Sequence, residues 1–158
     1  MPKNIVTQEQ KLLIEKMGVI FEKSGIQPAA ARVFALLLVS DSPELTFEEI
    51  IETLSISKSA ASNSINLLLT INKIEYITKP GDRKRYFKIR IAQWHPDVMK
   101  IVQEQGFLAD VLKQVLKQRP GNTTEFNNSL QEIISFLDFL VVEIPALYDK
   151  WEKTLKKK

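Results

Sequence analysis

Residues 46–90 read TFEEIIETLSISKSAASNSINLLLTINKIEYITKPGDRKRYFKIR, and this stretch decides the fold. Thr46 with Glu49 three residues on is a capping-box pattern. Phe47, Ile50, Ile51 and Leu54 then recur at helical spacing, which turns one apolar stripe toward a core. Ser55-Ile56-Ser57 interrupts the period. Ser57 suits the cap of a new helix, and Ile56 suits a plug in the turn between the two. On the second helix Ala61, Ile65, Leu68 and Leu69 share the inward side, leaving Lys58, Ser59, Ser62, Asn63 and Asn66 on the other. A merely solvated face is usually rich in Glu and Lys, whereas short hydrogen-bonding side chains suit close approach to a polar surface. Glu75–Lys79 then alternates as a strand does, Pro80-Gly81-Asp82 carries turn chemistry, and Arg85–Arg90 returns. The order is that of a winged helix-turn-helix, and its natural partner is DNA.

Charge supports that reading. Between Ser57 and Arg90 stand Lys58, Lys73, Lys79, Arg83, Lys84, Arg85, Lys88 and Arg90, opposed only by Glu75 and Asp82, a local balance of +6. The whole chain carries only +3, so the remainder sums to −3 and the positive charge is concentrated. A concentrated basic patch is the electrostatic footprint of a polyanion site.

The run from Pro28 to Tyr86 resembles the MarR-type winged-helix transcriptional regulators, most closely their GbsR branch. The matching pieces are PAAARVFALLLVSDSPELTFEEI, LSISKSAASNSINLL and KPGDRKRYFKI. The resemblance implies a dimeric DNA-binding repressor. It also implies release of DNA by a small-molecule effector lodged between the dimer helices and the DNA-binding unit; relatives in that branch are associated with choline sensing. Ala60 stands where a hydroxyl is common in the group, and Asn66 where many relatives carry a basic residue.

Within this frame the residues expected at DNA are Ser57, Lys58, Ser59, Ala60, Ser62, Asn63 and Asn66 on the recognition helix, with Lys79, Arg83, Lys84 and Arg85 on the wing. Asn63 suits bidentate pairing with adenine, and Ala60 suits a thymine methyl. No arginine on the helix is available to fork onto guanine, so the operator is expected to lean toward A·T. Arg83 at the wing tip suits a narrow minor groove, while Lys84 and Arg85 suit phosphates.

Outward from this core, a first helix from about Thr7 to Ser24 is expected, with Leu13, Met17, Ile20 and Phe21 on one face and Gly25 as a left-handed stop. Pro28 begins a second helix that is apolar nearly all round and should be the buried centre. Glu44-Leu45 suits a short third strand. Beyond Arg90, Trp94-His95-Pro96-Asp97 starts a long helix to about Gln118, with Ile101, Leu108, Val111, Leu112 and Val115 as its stripe. Asn122 with Glu125 reads as another capping box. The last helix carries Phe126, Leu130, Ile133, Ile134, Leu137, Leu140 and Val141 on one side and Phe136, Phe139 and Val142 on another. Two apolar sides call for two partners, which a symmetric homodimer supplies. Pro145 should kink or break this helix, and the ending LKKK reads as a frayed tail. The fold class is therefore mostly α with a small β-hairpin wing. The expected divisions are an N-terminal helix (1–25), a winged helix-turn-helix (26–91) and a C-terminal helical dimerisation region (92–158).

Other functions find little support. The chain has no cysteine and one histidine, His95, which suits a local helix-start role better than metal binding. There is no glycine-rich phosphate loop and no paired nucleophile and base, so neither a cofactor nor an enzymatic activity is expected. No apolar run approaches the roughly 18 residues of a membrane span, and the start MPKNIVTQEQ lacks an apolar signal core, so a cytoplasmic location is expected. The rival reading is a winged-helix adaptor that docks a partner protein through the same helix and hairpin. The short polar face around Asn63 suits base edges better than a protein hot spot, where buried aromatics and arginine are usual.

Overall fold

A computed structural model describes residues 5–155. They fall into two compact units that divide between Ile91 and Ala92. The basic ending Lys156–Lys158 lies outside the described residues.

The first unit is built around α2 (Pro28–Val39), in which Ala30, Ala31, Val33, Ala35 and Leu36 are completely buried. Pro28 occupies the first turn, where a missing N–H costs nothing. The alanines let neighbouring elements approach closely. Against α2 lies α1 (Gln8–Lys23). Its start is fixed by a capping box between Thr7 and Gln10, whose amide also donates to Val39 O and Asp41 Oδ1 and so ties the two helices together. Its end is a Schellman turn. Gly25, at φ 90°, bonds Glu22 O, and Ile26 N bonds Phe21 O.

The buried face of α1 differs from the expected stripe. Ile14 and Gly18 are buried, with Met17 and Phe21 packed beside them, but Leu13 and Ile20 point outward together with Leu12 and Val19. The helix has two apolar faces, and Gly18 lies on the buried one. The Arg32 side chain crosses α1 there, so that a Cβ on Gly18 would lie 3.0 Å from Arg32 Nε. That crossing arginine pairs with Glu15 at 3.1 Å and with Glu22.

The helix-turn-helix consists of α3 (Phe47–Leu54) and α4 (Lys58–Thr70). Thr46 and Glu49 form the expected capping box. Ser55 turns the chain in the left-handed region at φ 53°, and half-buried Ile56 packs on the core in the turn. The sheet of β1 (Leu45–Thr46), β2 (Ile74–Thr78) and β3 (Arg85–Ile89) has the order β1-β3-β2 and is antiparallel throughout. Its hairpin is β2 with β3, in register Ile74↔Ile89 to Thr78↔Arg85. The third strand, β1, lies one residue later than expected and pairs Leu45 with Phe87.

The second unit is an antiparallel pair, α5 (Trp94–Gln118) and α6 (Thr124–Leu155), entered through a short 3₁₀ turn, Ile91–Gln93. The two helices touch through small residues. Val102 and Ala109 are buried, and a Cβ on Gly106 would lie 3.2 Å from Val141 Cγ2. Of the expected α5 stripe, Ile101, Leu108, Val111 and Val115 are exposed instead, and only Leu112 turns partly inward. Close helix approach favours the narrow Gly106–Ala109 side and leaves the bulky side outward. On α6, Leu130, Ile134 and Leu137 are buried, whereas Phe126, Ile133, Phe136, Phe139 and Val142 are exposed.

Two local expectations are corrected. The cap of α6 is Thr123, not Asn122. Its carbonyl accepts from Asn127 N, and its hydroxyl accepts from the Arg119 guanidinium and has Pro120 O and Asn127 Oδ1 as alternative acceptors for its one proton. Of the kink or break expected at Pro145, the break does not occur, and α6 continues to Leu155. One lost backbone bond is outweighed because the segment beyond it packs on the start of α5. His95 stacks on Tyr148 at 3.6 Å between centroids, and Trp94 meets Trp151 edge-on at 5.6 Å. Among the described residues no helix is long and apolar enough to cross a membrane.

Candidate nucleic-acid interface

The recognition helix is oriented from its buried side. Ala61, Ser64, Ile65 and Leu68 are buried against the core of the first unit. Helical spacing then leaves Lys58, Ser59, Ser62, Asn63 and Asn66 exposed, while Ala60 is half-buried. Ser57 is the cap, its hydroxyl accepting from Ala60 N at 3.1 Å. Its side chain is therefore engaged in starting the helix, while the remaining polar groups of this face stay unpaired among the described residues.

The wing is a β-hairpin with a tight tip. Asp82 N donates to Lys79 O at 3.1 Å across Pro80-Gly81, and Gly81 sits at φ 80°, the arrangement of a type II turn. Asp82 then acts twice. Its Oδ1 accepts from Lys84 N at 2.9 Å, and its Oδ2 accepts from the Tyr86 hydroxyl at 2.6 Å. The tyrosine hydroxyl, and then the Lys84 amide, hold the Asp82 carboxyl below its ordinary range. The same bond to Asp82 pushes the Tyr86 phenol up.

The basic residues of this region divide by what they touch. Lys79 pairs with Glu44 and lies over the Tyr86 ring at 3.9 Å; the bond to Glu44 is the main reason its pKa is raised. Arg85 lies over the Tyr76 ring at 4.7 Å. Lys88 pairs with Glu75 at 3.2 Å, and Arg90 donates to Asn72 O. Lys58, Arg83 and Lys84 are exposed and have no ion pair among the described residues.

Helix and wing converge on one groove of about 450 Å3. Ser62 and Asn66 line it from α4, and Arg83, Lys84 and Arg85 from the wing. Phe47, Ile65, Leu69 and Phe87 form its apolar walls, and Glu48 is the one acidic group among its lining residues. Ser57, Lys58, Ser59, Ala60, Asn63 and Lys79 are not part of this lining. Sequence reasoning missed the internal bonding of the wing. Asp82 counted as an opposing charge, whereas it organises the tip; the available signal was a tyrosine four residues after an aspartate beside a Pro-Gly turn.

No family model matches the chain. It is 25% identical over 140 residues to the HTH-type transcriptional regulator MmpR5 of Mycobacterium tuberculosis, covering 87% of this chain and 85% of that protein. Among solved structures, a transcriptional regulator superposes with a TM-score of 0.64 at 24% identity, over 90% of this chain and 99% of the other. Looser overlap, at a TM-score of 0.40 and 14% identity, extends over 95% of this chain and 88% of MarR from E. coli, too little to build on. The chain thus has the winged-helix fold of a transcriptional regulator.

Proposed function

We propose that this chain is a sequence-specific DNA-binding transcriptional regulator, acting as a homodimeric repressor on a roughly palindromic operator. The observation that carries the reading is the groove in which Ser62 and Asn66 of α4 face Arg83, Lys84 and Arg85 of the wing. A short polar helix face beside unpaired cations matches the division of labour at DNA, where base edges are read and phosphates position the protein. The likeness to MmpR5, a protein described as an HTH-type regulator, supports it. The motif resemblance favours the MarR-type regulators and, within them, the GbsR branch. In this reading Ser57, Lys58, Ser59, Ala60, Ser62, Asn63 and Asn66 enter the major groove, and Lys79, Arg83, Lys84 and Arg85 serve the wing.

Residues 92–158 form the dimerisation region in this proposal. The exposed apolar residues of α5 and α6 support that role, Phe107 at 74% and Phe136 at 60% exposure among them. A two-fold dimer places its recognition helices in successive major grooves, ~34–36 Å apart. A small-molecule effector that releases DNA belongs to the same proposal, by resemblance alone. Fluorescence anisotropy tests the core of it. A labelled fragment from upstream of the gene should bind more tightly than an unrelated duplex of equal length at physiological salt, and affinity should fall steeply as salt rises. Equal, weak binding to both duplexes would sink sequence specificity, and no binding at low salt would favour the protein-adaptor reading.

A further inference from the structure

Two features of the wing look adverse to a DNA contact. Asp82 places a negative charge beside the tip, and Lys79 directs its charge to Glu44 instead of outward. Both belong to one connected set of contacts. Glu44 holds Lys79; Lys79 lies over the Tyr86 ring; the Tyr86 hydroxyl donates to Asp82; and Asp82 accepts from Lys84 N. Tyr86 is itself fixed in the centre of the sheet, opposite Ile77 on one side and Thr46 on the other. The set therefore runs from the sheet out to the tip and ends on the backbone between Arg83 and Lys84.

We propose that the Tyr86–Asp82 clasp pre-shapes the wing tip, making Tyr86 a positioning residue that sets where Arg83 and Lys84 meet DNA. The inference rests on the DNA-binding reading above and deepens it. A hairpin tip must otherwise be ordered when it enters a groove, and that ordering opposes binding. Here both oxygens of Asp82 are occupied, one by the tip amide of Lys84 and one by the Tyr86 hydroxyl from the adjoining strand, so its charge is used to fix the backbone. Arg83 and Lys84 make no ion pair among the described residues, so their side chains remain available while the backbone under them is held.

The test compares the wild type with Tyr86→Phe and Asp82→Ala. Tyr86→Phe keeps the ring and its contact with Lys79 and removes only the hydroxyl. Each protein is used to select duplexes from one random-sequence pool, and affinity is then measured on the duplex that the wild type enriches. Both variants should bind that duplex about three- to tenfold more weakly, the worth of a hydrogen bond that orders the tip. The half-site read by α4 should persist, while base preference at the flanking positions under the wing fades. Amide exchange at Lys84 should quicken in both variants with thermal unfolding nearly unchanged.

Asp82→Ala is the decisive variant, because removing a negative charge from a DNA-facing tip should tighten binding if electrostatics alone operated. Tighter binding by Asp82→Ala would overturn the proposal. So would a Tyr86→Phe protein indistinguishable from wild type, or an affinity loss matched by a general loss of stability. If the wild type enriches no sequence, the DNA-binding reading fails and the clasp proposal falls with it. If the wild type enriches a site and the variants match it, the clasp alone fails.

Discussion

Asn63 on α4 and Lys84 on the wing are both exposed, but they suit different parts of a duplex. A carboxamide matches the paired donor and acceptor of adenine, whereas an ammonium on a flexible stem is a point charge for phosphate. Asn63→Ala should therefore change which sequence wins a selection, costing about 1–3 kcal/mol at one base position and little elsewhere. Lys84→Ala should weaken binding to all duplexes alike and lower the slope of log affinity against log salt by about one. Identical sequence logos and salt slopes for the two variants would contradict this assignment. Acid should leave the tip intact over most of its range. Because the folded Asp82 carboxyl titrates below its ordinary value of 3.8, the stability it contributes is complete above that pH and lost as pH falls through the lowered value. At this scale the sequence reveals residue types and spacing but not bonding: a Pro-Gly turn was legible, and the tyrosine that reaches back to it was not.

At the scale of elements, the capping box at the start of α3 carries more than its own helix. Thr46 is buried, belongs to β1, and pairs with Tyr86 while its hydroxyl donates to Glu49 Oε2 at 2.8 Å. Thr46→Ala should cost on the order of 1 kcal/mol of stability in chemical denaturation, and a change within experimental error would show that the cap is redundant. This element was readable because its chemistry is local: a hydroxyl, a carboxylate and three residues between. The outward faces of α1 and α5 were not readable in the same way. Each helix has two apolar sides, and the buried one carries a glycine that a neighbouring side chain covers, Arg32 over Gly18 and Val141 over Gly106. Bulk and hydrophobicity pointed to Leu13 and Ile101; the buried residues are Ile14 and Val102. Pro145 shows the same limit. Its local effect is known, but whether a helix survives it depends on distant aromatic contacts.

For the whole molecule, the distribution of unburied apolar surface is the informative quantity. Phe136 and Phe139 lie on the outer side of α6, flanked by Ile133 and Val142, and Leu12, Leu13, Val19 and Ile20 lie on that of α1. Such apolar surface is rarely left to solvent in a monomer. The homodimer proposed above should therefore sediment as a single two-chain species at micromolar concentration. Introducing charge with Phe136→Glu and Phe139→Glu together should shift it to one chain while helix content persists. A wild type that sediments as a monomer would exclude these faces as a dimer interface.

The aromatic cluster at the end of the second unit has a practical consequence. The chain has two tryptophans, Trp94 and Trp151, and they pack edge-on to each other beside Tyr148 and His95. Intrinsic tryptophan emission is therefore a local gauge of the α5–α6 end. Unfolding followed by emission and by circular dichroism will coincide only if both units melt together. A gap between the two curves would measure how independently the winged unit and the helical pair keep their structure.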